Sequence, residues 1–341
     1  MVTSMIRNNK VRCKFIFGSD YLLSIHYPFL LLMIAHLLKK IGFALWEAPR
    51  AFRPIRQPRI LMTLLVKNEA DVLEANLRFH RSMGVDGFLI TDNNSTDRTP
   101  EIIRRYQEKG WILEVIHETA TNYEQKRWVD RMAWLAKTRY GADWIINADA
   151  DELWYAPSGS LKQAVSALSV NVLHCEVRGV YPEEGKPFWQ WNQRVVPTRE
   201  GENFDLSPYS VFAPQRKKVM HKAAGYLQIA MGNHKVAMLP RRCAYGEVRV
   251  YHYTVRGRAH FLQKMENGGR QLEQNKSKHG GRHWRYFYEL YKAGRLEQEY
   301  DRVIGKNQYA ELCQTGHILS DSTIPDYFAR HPELIESLLK P

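Results

Sequence analysis

The acidic run Asp149-Ala-Asp-Glu152 is the feature of the sequence best suited to chemistry. It directly follows the apolar segment 144–146, which predicts that its carboxylates stand at the end of a buried strand. Two carboxylates one residue apart can hold Mn2+ or Mg2+ and leave coordination positions open for phosphate oxygens. The charge of such a cation would stabilise a departing diphosphate. An exposed acidic turn is the simpler alternative, because a D-x-D pattern alone is common.

Two further polar clusters follow apolar segments earlier in the chain. Lys67-Asn-Glu69 comes after the run 60–66, and Asp92-Asn-Asn94 comes after the run 88–91. Asn68 can cap a helix, contact a ligand or do both. Asp92 can accept hydrogen bonds from a nucleoside, or it can belong to a turn that needs residues tolerant of positive φ. Because the carboxyl ends of parallel strands share one edge of a sheet, these clusters are expected to line one crevice with Asp149.

The elements that must position these clusters alternate between strand and helix. The predicted strands are 60–66, 88–91, 111–116 and 144–146, and the predicted helices are 68–83, one opening at Thr99-Pro100, and 123–140. This alternation with short connections favours an α/β fold, in which a mostly parallel sheet is flanked by helices on both faces. Downstream, a helix at 160–169, a strand at 170–177 and a strand at 247–254 are predicted.

The composition divides the chain into three parts. Residues 1–58 form a basic and apolar segment that ends in a linker, 47–58, with three prolines and three arginines. Residues 59–255 form the α/β domain. Residues 256–341 are rich in helix formers and basic residues, and we expect a helical C-terminal extension.

The apolar stretch 21–38 has three interpretations. It can be a helix that lies in a membrane interface, held by basic flanks, so that residues 15–46 form a peripheral membrane contact. It can be a buried or partner-packing helix, or it can span a membrane. His26, Pro28 and His36 weaken the spanning interpretation, and no small-residue cleavage site follows that would indicate a signal peptide.

Charge and motif content restrict the function classes. The formal net charge of +13 favours anionic partners. The four cysteines lie far apart without a CxxC pair, which argues against a zinc site and fits a reducing, cytoplasmic compartment, at the inner face of a membrane if the apolar stretch binds lipid. GxGxxG, P-loop and GxSxG motifs are absent from the sequence, so side chains and a metal would have to hold any phosphates. No nucleic-acid-binding motif stands out, and nucleic acid is not an expected partner.

Three ordered motifs resemble a known family. Leu64-Leu-Val-Lys-Asn-Glu-Ala-Asp71, Asp92-Asn-Asn-Ser-Thr-Asp-Arg-Thr99 and Asp143-Trp-Ile-Ile-Asn-Ala-Asp-Ala-Asp-Glu152 are similar to family-2-type glycosyltransferases with the Rossmann-like GT-A fold. The similarity is closest to a bacterial branch with an N-E-x-D start and a D-x-D-E finish. It is thinner in the region 230–270, where Gly232-Asn-His-Lys235 and His252-Tyr253 also resemble that branch.

The resemblance implies a role for individual residues. It assigns to the nucleotide-sugar the residues Asn68, Glu69, Asp92, Gln125, Arg127 and Asp149. It assigns the metal to Asp149 and Asp151, with His252 as a candidate third ligand. His252 can equally be a strand histidine with an ordinary hydrogen bond, and His234 is a weaker candidate for the site.

The sequence departs from the wider family in two places. Asn93 stands where many members carry a second aspartate, and the late Glu-Asp and Q-x-x-R-W signatures are missing. The base that would deprotonate an acceptor hydroxyl therefore has to be sought elsewhere. The candidates are Glu183, Glu184, Asp205 and Glu247, of which Glu184 is our prediction.

The expected function is metal-assisted transfer of a sugar from a nucleotide-sugar donor, with a UDP-sugar expected, to a glycan or lipid-linked acceptor in polysaccharide biosynthesis. The aromatic residues within 181–209 can stack on sugar rings or pack in the core. The basic and aromatic segment 278–285 can grip an acidic acceptor or remain solvated. A metal-dependent nucleotidyltransferase is the first alternative, although the loop 66–69 lacks the glycines that such enzymes carry. A basic nucleic-acid-binding protein is the second.

Overall fold

The computed structural model describes residues 6–7, 10–14, 20–23, 27–120, 124–274, 281–336 and 338. The strands are β1 (Ile6–Arg7), β2 (Lys10–Lys14), β3 (Asp20–Leu23), β4 (Ile60–Val66), β5 (Gly87–Asp92), β6 (Ile112–His117), β7 (Trp144–Ala148), β8 (Glu152–Tyr155), β9 (Val172–Val180), β10 (Gln193–Val195), β11 (Lys218–Lys222), β12 (Tyr226–Ile229), β13 (Val236–Met238), β14 (Cys243–His252) and β15 (Ile318–Ser320). The α-helices are α1 (Tyr27–Glu47), α2 (Ala70–Ser82), α3 (Thr99–Glu108), α4 (Gln125–Thr138), α5 (Leu161–Ser166), α6 (Arg258–Gln274), α7 (Arg282–Lys292), α8 (Leu296–Val303), α9 (Tyr309–Gln314) and α10 (Thr323–Arg330).

One curled sheet organises the molecule. Its strands follow the order β15-β10-β9-β11-β7-β4-β5-β6, and β14 pairs with both β8 and β9. The strands β7, β4, β5 and β6 are parallel, which confirms the mostly parallel sheet predicted from the sequence. β11 enters antiparallel between β7 and β9. Because β4, β5 and β7 run in the same direction, the loops that follow them leave from the same edge of the sheet.

The sheet is covered on both faces because its central strands are largely apolar and almost entirely buried. In β4, Ile60, Met62 and Leu64 belong to the core that contains α2 and α3, whereas Leu61 belongs to the core that contains α4. This alternation between faces is the consequence of the two-residue side-chain period of a strand. The predicted bounds of these strands and helices agree with the structure to within a few residues.

The C-terminal region is helical but it also completes the sheet. The helices α6 to α9 enclose a separate apolar core with Tyr181, Val211 and Phe212 of the α/β domain. β15 pairs antiparallel with β10 and forms an edge of the main sheet. The region 256–341 therefore contributes a strand that the helix-rich composition did not predict.

The N-terminal helix lies later in the chain than the predicted stretch 21–38. Residues 20–23 form β3, which pairs with β2, and α1 begins only at Tyr27. α1 is fixed to α4 by two ion pairs, from Lys40 to Asp130 at 2.8 Å and from Lys137 to Glu47 at 2.5 Å. In the described part of the chain, none of the helices is long and apolar enough to cross a membrane.

Two polar residues of α2 form hydrogen bonds to the backbone of the acidic motif and of Trp154 just after it. The amide of Asn76 donates to the carbonyls of Ala150 at 2.9 Å and Glu152 at 2.8 Å. One turn later, Nε2 of His80 accepts from the backbone N–H of Trp154 at 3.0 Å. A backbone N–H can only donate, so the His80 proton must sit on Nδ1, which faces the Asn76 carbonyl oxygen at 2.9 Å. Both side chains are fully buried, so the loop 150–154 is held rigidly against α2.

We predict opposite effects of alanine at two helical glycines. A Cβ at Gly269 in α6 would lie 2.2 Å from Cγ of Tyr288, so Gly269→Ala should lower the free energy of unfolding by about 1–3 kcal/mol. Gly42 in α1 has open space around it, and Gly42→Ala should raise the free energy by about 0.5–1 kcal/mol. Urea unfolding of both variants is the measurement. Equal effects would contradict the close packing of α6 on α7.

The buried His80 of α2 also predicts that the stability of the protein depends on pH. Burial lowers the pKa of His80 from 6.5 to about 3. Below about pH 6.5 the unfolded chain takes up a proton on this histidine and the folded protein does not, so stability must fall as the pH decreases. The loss attributable to His80 should approach about 2 kcal/mol between about pH 6.5 and about pH 5. His80→Gln, measured by urea unfolding at both pH values, should show a flatter dependence. An unchanged slope would contradict the prediction.

Candidate functional site

A cavity of about 530 Å³ opens at the carboxyl edge of β4, β5 and β7. Its walls come from the loops after these strands, from the end of β14, from the segment 209–215 and from α6 and α7. Seven of the lining residues are polar residues of the candidate site: Asn68, Glu69, Asn93, Gln125, Asp149, Asp151 and His252. The polar clusters that end three separate strands thus lie around one space.

The loops after β4 and β5 are bonded to each other. The hydroxyl of Ser95 accepts from the N–H of Asn68 at 3.0 Å, and Oδ1 of Asn68 accepts from the N–H of Thr96 at 2.7 Å. Thr99 and Asp97 accept from the first N–H groups of the α2 end, at Glu69 and Ala70. Asn68 itself has a positive φ of 55° and does not cap α2, contrary to the prediction. Asp97 and Thr99 therefore supply the caps that the sequence suggested Asn68 would give.

Asp149 is held by a buried lysine from β11. Nζ of Lys218 lies 2.8 Å from Oδ2 of Asp149 and 2.6 Å from Oε1 of Glu152. Met220 pairs with Ile146 in the register of β11 and β7, so Lys218 reaches the end of β7, beside the acidic motif. Glu152 is fully buried and also faces the indole N–H of Trp154. Glu152 thus positions Lys218, while Asp149, about a third exposed, faces the cavity.

Asp151 meets residues from β14 and α6. Because β14 pairs antiparallel with β8, His252 lies opposite Glu152, and its Nε2 stands 3.5 Å from Oδ1 of Asp151. Nζ of Lys264 in α6 stands 3.3 Å from Oδ2 of Asp151. Nδ1 of His252 is buried and has no hydrogen-bond partner among the described residues. Asp151, His252 and Lys264 therefore form one polar group on the cavity wall.

Glu69 is joined to the loop between β14 and α6 by a buried arginine. Nη1 of Arg256 lies 2.6 Å from Oε2 of Glu69, and Nε lies 2.9 Å from Oδ2 of Asp71. The same guanidinium contacts Nε2 of His260. A guanidinium can only donate, so Nε2 of His260 is the acceptor and its proton sits on Nδ1. The carboxylates of the N-E-x-D motif thus act, at least in part, by holding Arg256.

The electrostatics keep the two aspartates ionised. Burial by itself would raise the pKa of Asp151, but Lys264 and His252 hold it well below its ordinary value. Burial opposes ionisation of Asp149 as well, and Lys218 outweighs it and lowers the pKa. Burial raises the pKa of Glu152 despite the nearby Lys218. Burial would lower the pKa of His252, whereas the carboxylate of Asp151 raises it.

The structure separates the predicted site residues into two groups. In the first group, Asn68, Glu69, Gln125, Asp149, Asp151 and His252 line the cavity together. Asp92 is buried, and its Oδ1 accepts from the N–H of Ser95 at 3.1 Å, while its neighbour Asn93 lines the cavity instead. Arg127 is exposed and pairs with Glu124 at 3.1 Å. His234 bonds to the carbonyl of Lys217 at 3.1 Å and is not among the lining residues.

None of the four carboxylates suggested as the base is among the cavity-lining residues. Glu184 accepts from the hydroxyl of Tyr300 at 3.0 Å. Glu183 accepts from Lys186 at 2.8 Å, and Asp205 accepts from Arg302 at 2.9 Å. Glu247 is exposed. The structure therefore brings Glu184 together with Tyr300 and not with the acidic motif.

The wall of the cavity formed by the segment 209–215, α6 and α7 is aromatic and amide-rich. It is lined by Tyr209, Gln215, Phe261, Gln263, Asn267, Gln271, His283, Trp284 and Phe287. Of the aromatic run 181–209, Tyr181, Phe188, Trp189 and Trp191 are buried in the cores, and Tyr209 lines the cavity. In the basic segment 278–285, residues 278–280 lie outside the described residues, whereas His283 and Trp284 reach the cavity.

Sequence reasoning missed the cations of the site. Lys218 lies in a short strand, Arg256 in a loop and Lys264 in a helix, and nothing in their local patterns distinguishes them from other basic residues. One signal was present. Lys218 begins a strand in which every residue is buried, and a lysine at such a position needs a carboxylate partner.

The side-chain atoms available as metal ligands at the acidic motif suit a divalent cation only in part. Asp149 and Asp151 offer hard carboxylate oxygens, and the unpartnered Nδ1 marks His252 as a residue with bonding capacity to spare. In the described part of the chain, however, no three His, Cys, Asp or Glu side chains are arranged to hold a metal. The lysines 218 and 264 lie against the carboxylates instead.

Comparison with known proteins extends this description. Residues 64–224 match the model of the family described as Glycosyl transferase family 2. No curated protein sequence matches the chain. Solved structures similar to it include a mannosyltransferase from Pyrobaculum calidifontis in complex with GDP-Man and Mn2+, with 17% identity over 92% of each chain and a TM-score of 0.38. They also include residues 1–349 of S. aureus TarS, with 11% identity over 74% of each chain and a TM-score of 0.34.

The matched segment begins within β4 and ends just after β11, so it contains all three motifs and Lys218. The sheet of parallel strands, with an acidic motif at the carboxyl end of β7, is the architecture that the resemblance implied. Residues 64–224 therefore form a glycosyltransferase family 2 domain within the α/β fold described above, and the chain is a glycosyltransferase.

Proposed function

We propose that this glycosyltransferase binds a nucleoside-diphosphate sugar in the cavity and transfers the sugar to a hydroxyl group of a carbohydrate-bearing acceptor. The observation that carries the proposal is the meeting of Asn68, Asn93, Gln125 and the acidic pair Asp149 and Asp151 around one space at the carboxyl edge of the sheet. Ligands in open α/β sheets bind at this edge. The cavity volume of about 530 Å³ lies in the range of ligand pockets.

The nucleoside is placed beside the loops after β4 and β5. Nδ2 of Asn93 donates to the carbonyls of Glu118 and Ala120, both at 3.0 Å, which fixes the amide orientation. Its oxygen is then the atom that can accept from a base N–H. Gln125, at the start of α4, offers a second amide on the same wall. A uracil base, as in the UDP-sugar we expect, has one N–H and two carbonyls that suit such amides.

The diphosphate is placed between the acidic motif and α6. Glu69, Asp71, Asp149, Asp151 and Glu152 carry five formal negative charges, and Lys218, Arg256 and Lys264 carry three positive charges. As a metal ligand His252 must be neutral, and the group then has two uncompensated negative charges, which a divalent cation would balance. We propose that Asp149 and Asp151 hold Mn2+ or Mg2+, with His252 as the candidate third ligand. The bound cation would act as a Lewis acid toward the departing diphosphate.

Lys264 has a separate part in this proposal. It projects from α6 into the cavity and lies 3.3 Å from Asp151. Burial would lower its pKa, but the carboxylates of Asp151 and Glu69 raise it, so it stays charged. An ammonium group at this position can contact a phosphate oxygen once the cation binds Asp151.

The acceptor is placed against the aromatic and amide-rich wall. Tyr209 and Trp284 offer ring faces, and the amides of Gln263, Asn267 and Gln271 can bond to hydroxyl groups. The titratable carboxylates that line the cavity are Glu69, Asp149 and Asp151, and all three have cationic partners. Burial and Lys264 lower the pKa of His283, so this imidazole is neutral at neutral pH. We therefore propose that His283, and not Glu184, accepts the acceptor proton.

Product analysis separates glycosyl transfer from the nucleotidyltransferase alternative. We expect the purified enzyme, incubated with UDP-sugars or GDP-sugars and Mn2+, to release a nucleoside diphosphate. Release of pyrophosphate from a nucleoside triphosphate would favour the alternative.

Replacement of Asp151 tests the donor site directly. Asp151→Asn should weaken binding of UDP or GDP in the presence of Mn2+ by at least about tenfold, because the substitution removes a metal-holding charge without changing the shape. Arg127→Gln is the matched control and should change the affinity by less than about twofold, since Arg127 is exposed. Isothermal titration calorimetry measures both. Equal affinities of the two variants for the nucleoside diphosphate would contradict the assignment of the donor site.

The assignment of the base is tested by a pair of neutral substitutions. His283→Gln should lower kcat by about 100-fold and leave the affinity for the nucleoside diphosphate unchanged, because it removes a proton acceptor from the acceptor side. Glu184→Gln should leave kcat nearly unchanged. The reverse order of effects would return the assignment to Glu184.

A further inference from the structure

One face of α1 is apolar and exposed in the described structure. Ile34, Leu38, Leu45 and Trp46 are 44%, 62%, 57% and 65% exposed, and Leu37 is 42% exposed. These residues recur at helical spacing and form a stripe along one side of α1. The α1 stripe, defined by these five residues, is larger than the isolated apolar side chains that protein surfaces ordinarily show.

The opposite face of α1 fixes the direction in which the stripe points. Lys40 is buried, pairs with Asp130 and donates to the carbonyl of Leu227 at 3.0 Å. Ala44 is fully buried, and Glu47 pairs with Lys137. Rotation of α1 to hide the stripe would leave the partners of these ion pairs buried and unpaired, which is strongly unfavourable. The stripe is therefore held outward by the fold.

The segment of the chain that contains the α1 stripe is basic. Residues 1–59 contain ten lysines and arginines and two acidic residues, which gives them +8 of the chain's net charge of +13. Lys39, Arg50 and Arg53 are exposed near the stripe. Glu47, the one acidic residue between positions 27 and 59, is taken up by Lys137. Among the described residues, Lys39, Arg50 and Arg53 have no ion-pair partner, so their charges remain available to a ligand.

We infer that the α1 stripe docks on an anionic lipid surface. Leu38 and Leu45 would enter the acyl boundary, Trp46 would lie at the headgroup level, and the flanking cations would contact lipid phosphates. A second copy of the chain is the other occupant to consider. In a two-fold interface the same patch meets itself, so the flanking cations would face like charges. Charge complementarity therefore favours the lipid. This inference does not depend on which sugar the enzyme transfers.

Vesicle flotation of the full-length protein tests the inference. We expect binding to vesicles of phosphatidylcholine with phosphatidylglycerol and much weaker binding to phosphatidylcholine alone. Leu38→Glu combined with Leu45→Glu should weaken binding to the anionic vesicles by at least about tenfold. Tyr245→Glu introduces one such charge at an exposed aromatic residue of β14, outside the α1 stripe, and should bind like the wild type. A cooperative urea-unfolding transition of each variant verifies its folding.

A second pair of variants addresses the charge separately. Arg50→Gln combined with Arg53→Gln alters only exposed side chains and should reduce binding to the anionic vesicles, as should raised salt. The inference is overturned if the wild-type protein does not float with anionic vesicles, or if the Leu38 and Leu45 variant binds as well as the Tyr245 variant. A concentration-dependent dimer that Leu38→Glu dissociates, without vesicle binding, would assign the stripe to a second copy.

Discussion

The compensation of buried carboxylates is the constraint on which the rest of the site depends. Glu69, Asp149, Asp151 and Glu152 meet where three parallel strands end, and unpaired charges there would be prohibitively unfavourable. Their partners are Lys218 from β11, Arg256 from the loop after β14 and Lys264 from α6. Each partner lies far along the chain from its carboxylate, so the order of the site follows from the completed fold.

This constraint explains why the sheet is curled around the acidic motif. β11 has to enter antiparallel beside β7 for Lys218 to reach Asp149, and β14 has to pair with β8 for His252 to stand beside Asp151. From below, Asn76 and His80 bond the backbone of the same loop to α2. The acidic motif is thus fixed by its backbone on one side and by cations on the other. Such preorganisation suits the binding of a diphosphate and a cation that we propose for this site.

The walls of the cavity differ in the chemistry of their side chains. The loops after β4, β5 and β7 line the cavity with charged and amide groups, whereas the segment 209–215, α6 and α7 line it mainly with rings and amides such as those of Trp284 and Gln263. Close packing of α6 on α7 needs glycine at Gly268 and Gly269, since a Cβ at Gly268 would lie 2.8 Å from the indole of Trp284. Glycines of α6, which lies far along the chain from the sequence motifs, therefore set the position of a cavity wall.

The sequence by itself determined the elements and the edge at which the chemistry lies. The apolar runs of β4, β5 and β7 are covered on both faces, and an uninterrupted apolar strand can be recognised from local pattern alone. The direction of parallel strands then brings the residues after them to one edge, which placed Asn68, Glu69, Asp149 and Asp151 together. The family resemblance, confirmed over residues 64–224, rests on the same local segments.

The tertiary structure decided what those residues contact. Asp92 turns its carboxylate to the N–H of Ser95 while Asn93 faces the cavity, and the sequence leaves open which of two adjacent residues does so. Glu184 bonds to Tyr300, 116 positions away, and Lys218, Arg256 and Lys264 find carboxylates 66 to 187 positions away. Local patterns report the burial of a side chain, because burial follows the period of its own helix or strand. They do not report its partner, because the partner is brought there by the packing of distant elements.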